Sequence, residues 1–298
     1  MRMSVPLTEV GFSARRAIDT ARAGRVAAVF ERSAYVEFDS GWVCFARAEA
    51  GIGPLNATFR RKQLSERLCD VVGVGDHVKA SVAGIAIGPI LFVSVASRTW
   101  CPPPVKTWTA RTLARGLDGL RDSARNLWPD EGLGRFVDNL DLDARGLREA
   151  KAAARPIADL YGWLVRAFAG DAVAERPPRS VLELVGLGPG LTPSGDDFLG
   201  GAMIAAHALG RGDVAARLYA ALAPHARHAT HPISRAHLAA AAEGTGGAPL
   251  HAGLTSLLAG RVGALPDAMA AIARIGHSSG WDALAGATLA LRAWVRQP

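Results

Sequence analysis

A short pattern of serine, glycine and aspartate occurs twice in this chain. Residues 194–202 read S-G-D-D-F-L-G-G-A and residues 279–287 read S-G-W-D-A-L-A-G-A, so both fit S-G-x-D-x-L-x-G-A. In each copy a Ser-Gly loop and an aspartate lead into an apolar run of small residues, which is typical of a helix. Free N–H groups and the helix dipole make a helix N-terminus an anion-binding site. The repeat predicts two ligand-binding helix starts that face one cavity across a pseudo-twofold axis; the alternative is that serine and aspartate only cap the helices.

The first copy follows a glycine-rich loop. Residues 186–197 read G-L-G-P-G-L-T-P-S-G-D-D, and the apolar residues 181–185 before them are expected to form a buried strand. A strand, a glycine loop and a helix in this order can cradle a phosphate or another anion. The loop contains neither the Gly-Lys-Ser/Thr of a Walker A loop nor the glycine spacing of a dinucleotide-binding fingerprint. The candidate ligand-binding residues of this loop are Gly188, Gly190, Thr192, Ser194 and Gly195.

Two adjacent carboxylates at the end of this loop need a separate explanation, because an unpaired carboxylate repels a neighbouring anion. Asp197 aligns with Asp282 of the second copy. This correspondence predicts a structural or ligand-orienting role for both, and Asp282 is a candidate binding residue. Asp196 aligns with Trp281 and has no counterpart, so it is the better candidate for a general base or a metal ligand. We therefore treat Asp196 and Asp197 as candidate catalytic residues.

A histidine and several hydroxyls extend the set of candidates. His277 precedes Ser278 and Ser279 at the second helix start, where it could donate to an anion or act as an acid or base. It is the third catalytic candidate, and the two serines are binding candidates. Thr230 and Ser234 are four residues apart and could present two hydroxyls to a ligand on one helix face. The alternative for this pair is an ordinary surface position.

A metal site receives less support from the sequence. His225, His228, His231 and His237 are closely spaced, but Pro232 interrupts the helix and no HExxH motif or cysteine ligand accompanies them. We predict no cofactor; the alternative is Mg²⁺ bound by Asp196 and Asp197.

The rest of the chain must position these residues. Residues 1–104 contain short β-branched and aromatic runs separated by turns, which predict a barrel or sandwich of five to seven strands. Residues 105–180 have helical periodicity and are expected to connect this domain to residues 181–298, a helical domain that carries both motifs. The predicted fold class is α+β, with a small β-rich N-terminal barrel or sandwich followed by a mainly helical C-terminal domain that places glycine-rich loops at helix N-termini.

Composition limits the classes of partner. The chain has a net charge of +7, but its basic residues are spread along the sequence without interleaved aromatics, so we predict no nucleic-acid partner. This charge can still attract a small anionic substrate. The three cysteines show no paired spacing, which favours a reducing compartment. The start of the chain lacks the apolar core of a signal peptide, and residues 82–96 are too short to cross a bilayer. We therefore predict a cytoplasmic protein without a membrane partner.

The loop and its surroundings resemble a known family. The run G-L-G-P-G-L-T-P-S-G-D-D-F-L-G-G at residues 186–201 is similar to the signature of a bacterial family of unknown function. That family includes the AllH-type subunit of oxamate carbamoyltransferase in allantoin catabolism. The resemblance includes G-I-G-P at residues 51–54, W-C-P at residues 100–102, Thr230 with Ser234, E-G at residues 243–244 and G-H-S-S-G-W-D at residues 276–282.

The resemblance implies a transferase subunit that works with other subunits of a carbamoyltransferase complex. In such a system phosphate attacks the ureido carbonyl of oxalurate, giving oxamate and carbamoyl phosphate. N–H groups around the loop glycines would hold one anion, residues 277–279 would hold the other, and Asp196 or Asp197 would orient the ureido nitrogens. The alternatives are a non-catalytic scaffold or interaction subunit, and a Mg²⁺-dependent nucleotide-binding phosphotransferase.

Overall fold

A curled β-sheet and a mainly helical region follow one another along the chain, which confirms the predicted α+β class. The computed structural model describes residues 2–60, 64, 66–105, 107–124, 127–137 and 148–297. The chain divides into two units, Met1–Pro102 and Pro103–Pro298. No helix in the described ranges is long and apolar enough to span a membrane.

The described residues of the N-terminal unit form ten strands, where the sequence predicted five to seven. Their order in the sheet is β1-β9-β8-β7-β3-β4-β5-β6-β2-β10. Several strands have only three or four residues, too few for an alternating pattern to reveal them. The strands are β1 (Met3–Pro6), β2 (Glu9–Gly11), β3 (Ala23–Val29), β4 (Ser33–Phe38), β5 (Gly41–Arg47), β6 (Asn56–Phe59), β7 (His77–Ser81), β8 (Gly84–Ile87), β9 (Ile90–Val93) and β10 (Arg98–Trp100).

One continuous segment connects the two ends of this sheet. Strand β1 pairs with β9, whereas β2 pairs with β6 and β10. Between the two strands, the Leu7 N–H donates to the Val93 carbonyl at 2.8 Å and the Thr8 N–H donates to the Thr58 carbonyl at 2.7 Å. Because so short a link separates β1 from β2, the sheet must curl around a core in which the Phe45 and Phe92 rings stack with centroids 4.5 Å apart.

The loop with the G-I-G-P sequence is a turn within this unit. The Asn56 N–H donates to the Gly53 carbonyl at 3.1 Å, and the Ala14 N–H donates to the Pro54 carbonyl at 2.9 Å. These bonds attach the loop to β6 and to the helix that follows β2. The loop therefore has the structural role of an ordinary turn.

Ten helices lie in the described chain, eight of them in the C-terminal unit. Short 3-10 turns at Gly134–Val137 and Arg179–Leu184 connect some of them. The helices are α1 (Phe12–Thr20), α2 (Leu68–Val71), α3 (Ala110–Ala124), α4 (Arg148–Phe168), α5 (Ser194–Ala208), α6 (Gly212–Ala229), α7 (Pro232–Ala242), α8 (Ala248–Leu258), α9 (Leu265–Ile272) and α10 (Ser279–Arg296).

Helices α5 and α10 pack against each other at the centre of the C-terminal unit. Both are buried over most of their length, as expected for helices that are apolar on nearly every face. A Cβ on Gly201 would overlap the Ala283 carbonyl oxygen, and a Cβ on Gly286 would overlap the Phe198 carbonyl oxygen. Gly201 and Gly286 occupy equivalent positions of the repeated pattern, and so do Phe198 and Ala283. The two copies therefore contact each other through equivalent atoms, in a pseudo-twofold arrangement.

The prediction of a buried strand at residues 181–185 was wrong. This segment lies in the 3-10 turn Arg179–Leu184, in which Val181 and Leu184 are buried and Leu182 is only partly buried. A spacing of three between buried residues matches the period of a 3-10 helix, and a short apolar run does not distinguish it from a strand. No described strand lies in the C-terminal unit for this segment to pair with.

The contact between α5 and α10 predicts that adding a single methyl group strongly lowers the free energy of unfolding. Gly201→Ala forces the two backbones apart, and we expect it to lower the free energy of unfolding by about 2–3 kcal/mol. Gly162→Ala in α4 is the matched control, since its Cβ meets nothing within 4 Å. That change should raise the free energy by about 0.5–1 kcal/mol through helix propensity. Urea unfolding followed by tryptophan fluorescence measures both, and equal effects would contradict the packing described.

Candidate functional site

The two copies of the repeated pattern both begin helices, and these helix starts meet. Helix α5 begins at Ser194 and helix α10 at Ser279. The hydroxyls of Thr192 and Ser279 are 3.2 Å apart and share a hydrogen bond. The Ser279 hydroxyl lies beside Asp197, and the Ser194 hydroxyl lies beside Asp282. Each serine thus faces the aspartate of the other copy, so the structure brings the two halves of the predicted site together.

In the Ser-Gly sequence of each copy, the glycine is required by close packing. A Cβ on Gly195 would overlap the Leu184 carbonyl oxygen, and a Cβ on Gly280 would overlap the Ile272 carbonyl oxygen. The Gly280 N–H also donates to the Ile275 carbonyl at 3.1 Å. An equivalent bond, from the Gly195 N–H to the Leu187 carbonyl at 2.9 Å, turns the first loop into its helix. These glycines are needed for close packing whether or not a ligand binds.

The loops before the two helices retain unused N–H groups. In the part of the chain that the structure describes, no acceptor receives the N–H groups of Gly190, Leu191 and Thr192 in the first loop. The same holds for residues 277–279 in the second loop. Gly188 has φ 108° and Gly276 has φ 60°, values that glycine adopts readily. Such unpaired donors next to a helix N-terminus are suited to an anion.

Asp196 is hydrogen-bonded on both oxygens. Its Oδ1 accepts from the Gly186 N–H at 2.9 Å, and its Oδ2 accepts from the Ser234 hydroxyl at 2.6 Å and from the Thr230 hydroxyl. The side chain is almost completely buried. Because α6 ends before Thr230 and α7 begins at Pro232, the two hydroxyls come from opposite sides of a turn rather than from one helix. Asp196 therefore ties the start of α5 to the glycine loop and to the α6–α7 turn.

Asp197 and Asp282 differ from Asp196 in their hydrogen bonds. The Oδ2 atom of each is buried and has no hydrogen-bond partner among the described residues. Burial raises the pKa of Asp197 well above its ordinary value, and the negative charges of Asp282 and Asp196 raise it further. Burial also raises the pKa of Asp282 to about 6, although the Leu133 N–H and the neighbouring Ser194 and Ser278 hydroxyls act in the opposite direction. The geometry thus leaves acceptor capacity on this pair rather than on Asp196.

A segment within residues 105–180, which were predicted only to connect the two domains, completes the second helix start. The Leu133 N–H donates to Asp282 Oδ1 at 2.6 Å. A Cβ on Gly132 would lie 2.6 Å from that oxygen, so a glycine is required there. The Trp128 ring meets the Trp281 ring edge-on, with centroids 6.5 Å apart. Since this segment is far from both motifs in sequence, only its paired glycines at 132 and 134 could have indicated a close backbone approach.

His277 lies at the edge of this arrangement. Its side chain is 79% exposed, and its Nε2 is 3.3 Å from an oxygen of Glu131, whose side chain is 64% exposed. Ser278 precedes α10 without using its side chain as a cap. His277 therefore faces solvent beside the helix start, whereas Asp196 is buried and Asp197 is partly buried there.

The clustered histidines were considered as metal ligands in the sequence. Over the described ranges, no group of three or more His, Cys, Asp or Glu side chains could hold a metal ion. His231 instead caps α7, its Nδ1 accepting from the Ile233 N–H at 3.2 Å. Burial lowers the pKa of His237 to about 4, which keeps that imidazole neutral.

A family comparison covers the region that contains both helix starts. Residues 184–291 match the family model described as oxamate carbamoyltransferase subunit AllH. The resemblance seen in the sequence is therefore confirmed for this part of the chain. The matched residues of this AllH-like region extend from the end of the 3-10 turn at Arg179–Leu184 into α10. The β-rich unit and the Gly132–Leu133 segment lie outside them. No significant match was found among curated proteins or solved structures.

The hydrogen bonds of Asp196 predict a large structural effect of its removal. Asp196→Ala leaves the Gly186 N–H and two hydroxyls without their acceptor, and we expect a loss of about 3 kcal/mol in unfolding free energy. Ser234→Ala removes one donor and should cost about 1 kcal/mol. Urea unfolding of both single variants and the double variant gives their coupling.

The control for this series is Asp267→Ala, at an exposed position of α9. It should change the free energy by less than about 0.5 kcal/mol. An Asp196→Ala variant as stable as this control, or additive effects of Asp196→Ala and Ser234→Ala, would contradict the anchoring role.

Proposed function

We propose that this chain is a subunit of a carbamoyltransferase-like system that binds a small anionic substrate where α5 and α10 begin. The substrates of such a system are an oxamate- or oxalurate-type carboxylate, carbamoyl phosphate and phosphate. The observation that carries the proposal is the contact between the two helix starts, joined by the hydrogen bond between Thr192 and Ser279. The family match supports it, because residues 184–291 contain both helix starts.

The unpaired N–H groups define what the site can do. Those of Gly190, Leu191 and Thr192 are available to one anionic group, and those of residues 277–279 to a second. Preorganised donors of this kind stabilise negative charge that develops on an oxygen at a tetrahedral centre. A substrate that carries an anion at each end, or an anion beside a reacting carbonyl, fits two donor sets that lie side by side.

The carboxylates supply a complementary function. The Oδ2 atoms of Asp197 and Asp282 have no donor among the described residues, so amide or ureido N–H groups of a ligand that reaches them would find an acceptor there. Asp196 acts as a positioning residue, because its own acceptors are occupied. His277 can reach a ligand only at the exposed edge of the site, where it would contribute as a donor or as an acid or base. A carbamoyltransferase complex requires further subunits, which would act as this chain's partners.

A scaffold function is the second candidate, and a specific observation favours it. The glycines at positions 195, 201, 280 and 286 are all required by backbone contacts within the unit. These glycines of the repeated pattern are therefore used in packing two helices, whether or not a ligand binds. In that case the chain would support a catalytic partner without contacting its substrate.

A thermal-shift experiment separates these two functions. The purified chain is heated with phosphate, carbamoyl phosphate, oxamate, oxalurate or ATP, each with and without Mg²⁺. A ligand that binds only the native state raises the Tm by an amount that grows with the logarithm of its excess. We expect oxamate or carbamoyl phosphate to raise the Tm by a few degrees without Mg²⁺.

The control variant is Thr192→Val, which keeps the shape of the side chain but removes the hydroxyl that bonds Ser279. This substitution should lower the Tm of the free protein only slightly. It should reduce the additional Tm increase that the ligand causes by a larger amount. Absence of any ligand response would favour the scaffold function. A response to ATP only with Mg²⁺ would instead indicate a phosphotransferase.

A further inference from the structure

Two carboxyl groups that each have one buried oxygen lie beside a site that is suited to anions, and this combination requires an explanation. Asp197 and Asp282 come from equivalent positions of the two copies and interact electrostatically with each other. We propose that an anion binds at the two helix starts together with one proton, which is taken up by the Asp197–Asp282 pair. This inference rests on the anion site of the proposed function and adds its dependence on pH.

The burial of one oxygen on each carboxyl group favours a bound proton. Asp282 is completely buried, and its Oδ2 has no hydrogen-bond partner within the described chain. The buried Oδ2 of Asp197 likewise has none. A buried carboxylate oxygen without a donor is costly, whereas the protonated acid can donate a hydrogen bond to a neighbouring oxygen. An anion held by the loop N–H groups would supply such an oxygen.

The charges around the pair also favour a protonated carboxyl group. Asp196, on the same helix as Asp197, adds a further negative charge and makes a second ionised carboxylate less favourable. At the start of α10, His277 and Glu131 are paired with each other at the exposed edge. Arg135 lies in the 3-10 turn that packs on α10, and Arg235 of α7 donates to the Arg227 carbonyl. The charges that raise the pKa of Asp197 are those of Asp282 and Asp196.

The reaction is a simple protonation equilibrium. One proton from solvent forms an O–H bond on one carboxylate oxygen of the pair as the anion enters. This removes one negative charge from beside the anion and creates one new donor for it. The proton returns to solvent when the anion leaves. Interacting carboxyl groups titrate as a pair, so the apparent pKa belongs to both residues.

The direct test is a titration of the aspartate carboxyl carbons by ¹³C NMR. Asp197→Asn and Asp282→Asn identify the two signals, and each variant should remove one of them. In the anion-free wild-type protein we expect one carboxyl of the pair to titrate near pH 6, so that it is ionised at pH 7 and can take up a proton when the anion binds. Two carboxyls that titrate near the ordinary value of 3.8 would overturn the proposal.

The second test measures anion affinity as a function of pH, using sulfate and oxamate because their charges are constant between pH 5 and pH 8. Above the apparent pKa of the pair, uptake of one proton requires the Kd to rise about tenfold per pH unit. Asp282→Asn, which keeps an uncharged oxygen and nitrogen at the same place, should make the Kd nearly independent of pH. Asp197→Asn should act in the same direction, and Asp267→Asn in α9 should behave as wild type.

The outcomes distinguish this inference from the proposed function. A pH-independent Kd in the wild-type protein would overturn the proton coupling and leave the anion site intact. Absence of binding of either anion at every pH would overturn the anion site and the coupling with it. Calorimetry in buffers of different ionisation enthalpy provides an independent count of the protons taken up, which we expect to approach one per anion at pH 7.

Discussion

The close approach of α5 and α10 is the contact on which the rest of the C-terminal unit depends. Gly201 and Gly286 allow each backbone to touch a carbonyl of the other helix, and a side chain at either position would separate them. This separation would also move Ser194 away from Asp282 and Ser279 away from Asp197. The geometry of the two helix starts is therefore set by helix packing further along the same helices. The glycines of the repeat hold its serines and aspartates in position.

Around this contact the protein uses its three neighbouring aspartates for different purposes. Asp196 is satisfied by donors from the glycine loop and from the α6–α7 turn, so it fixes the loop relative to the helix. Asp197 and Asp282 remain without donors on one oxygen each. Their burial stabilises the protonated form, which allows carboxyl groups to lie beside N–H groups that attract anions. The unit thus places carboxyl groups and anion-attracting N–H groups within one small region.

The repeated pattern allowed the sequence to predict both helix starts and their approach to each other, because two copies of one pattern suggest equivalent elements related by a pseudo-twofold axis. The α+β class was also predictable from strand-like runs followed by helical periodicity. The segment at residues 181–185 was predicted as a strand because a short apolar run carries no reliable period. The Leu133 contact to Asp282 was missed because nothing in local sequence indicates a partner so far along the chain. The roles of adjacent Asp196 and Asp197 depend on tertiary donors, which sequence spacing does not reveal.

The central claim is that the two helix starts form one anion site. It is tested most directly by ¹H–¹⁵N NMR of the backbone amides during a titration with oxamate. The account predicts that the signals of residues 190–192 and those of residues 277–279 shift together with a single Kd, since both donor sets contact the same bound ligand. Shifts confined to one loop, two different Kd values, or no shift in either loop would contradict it.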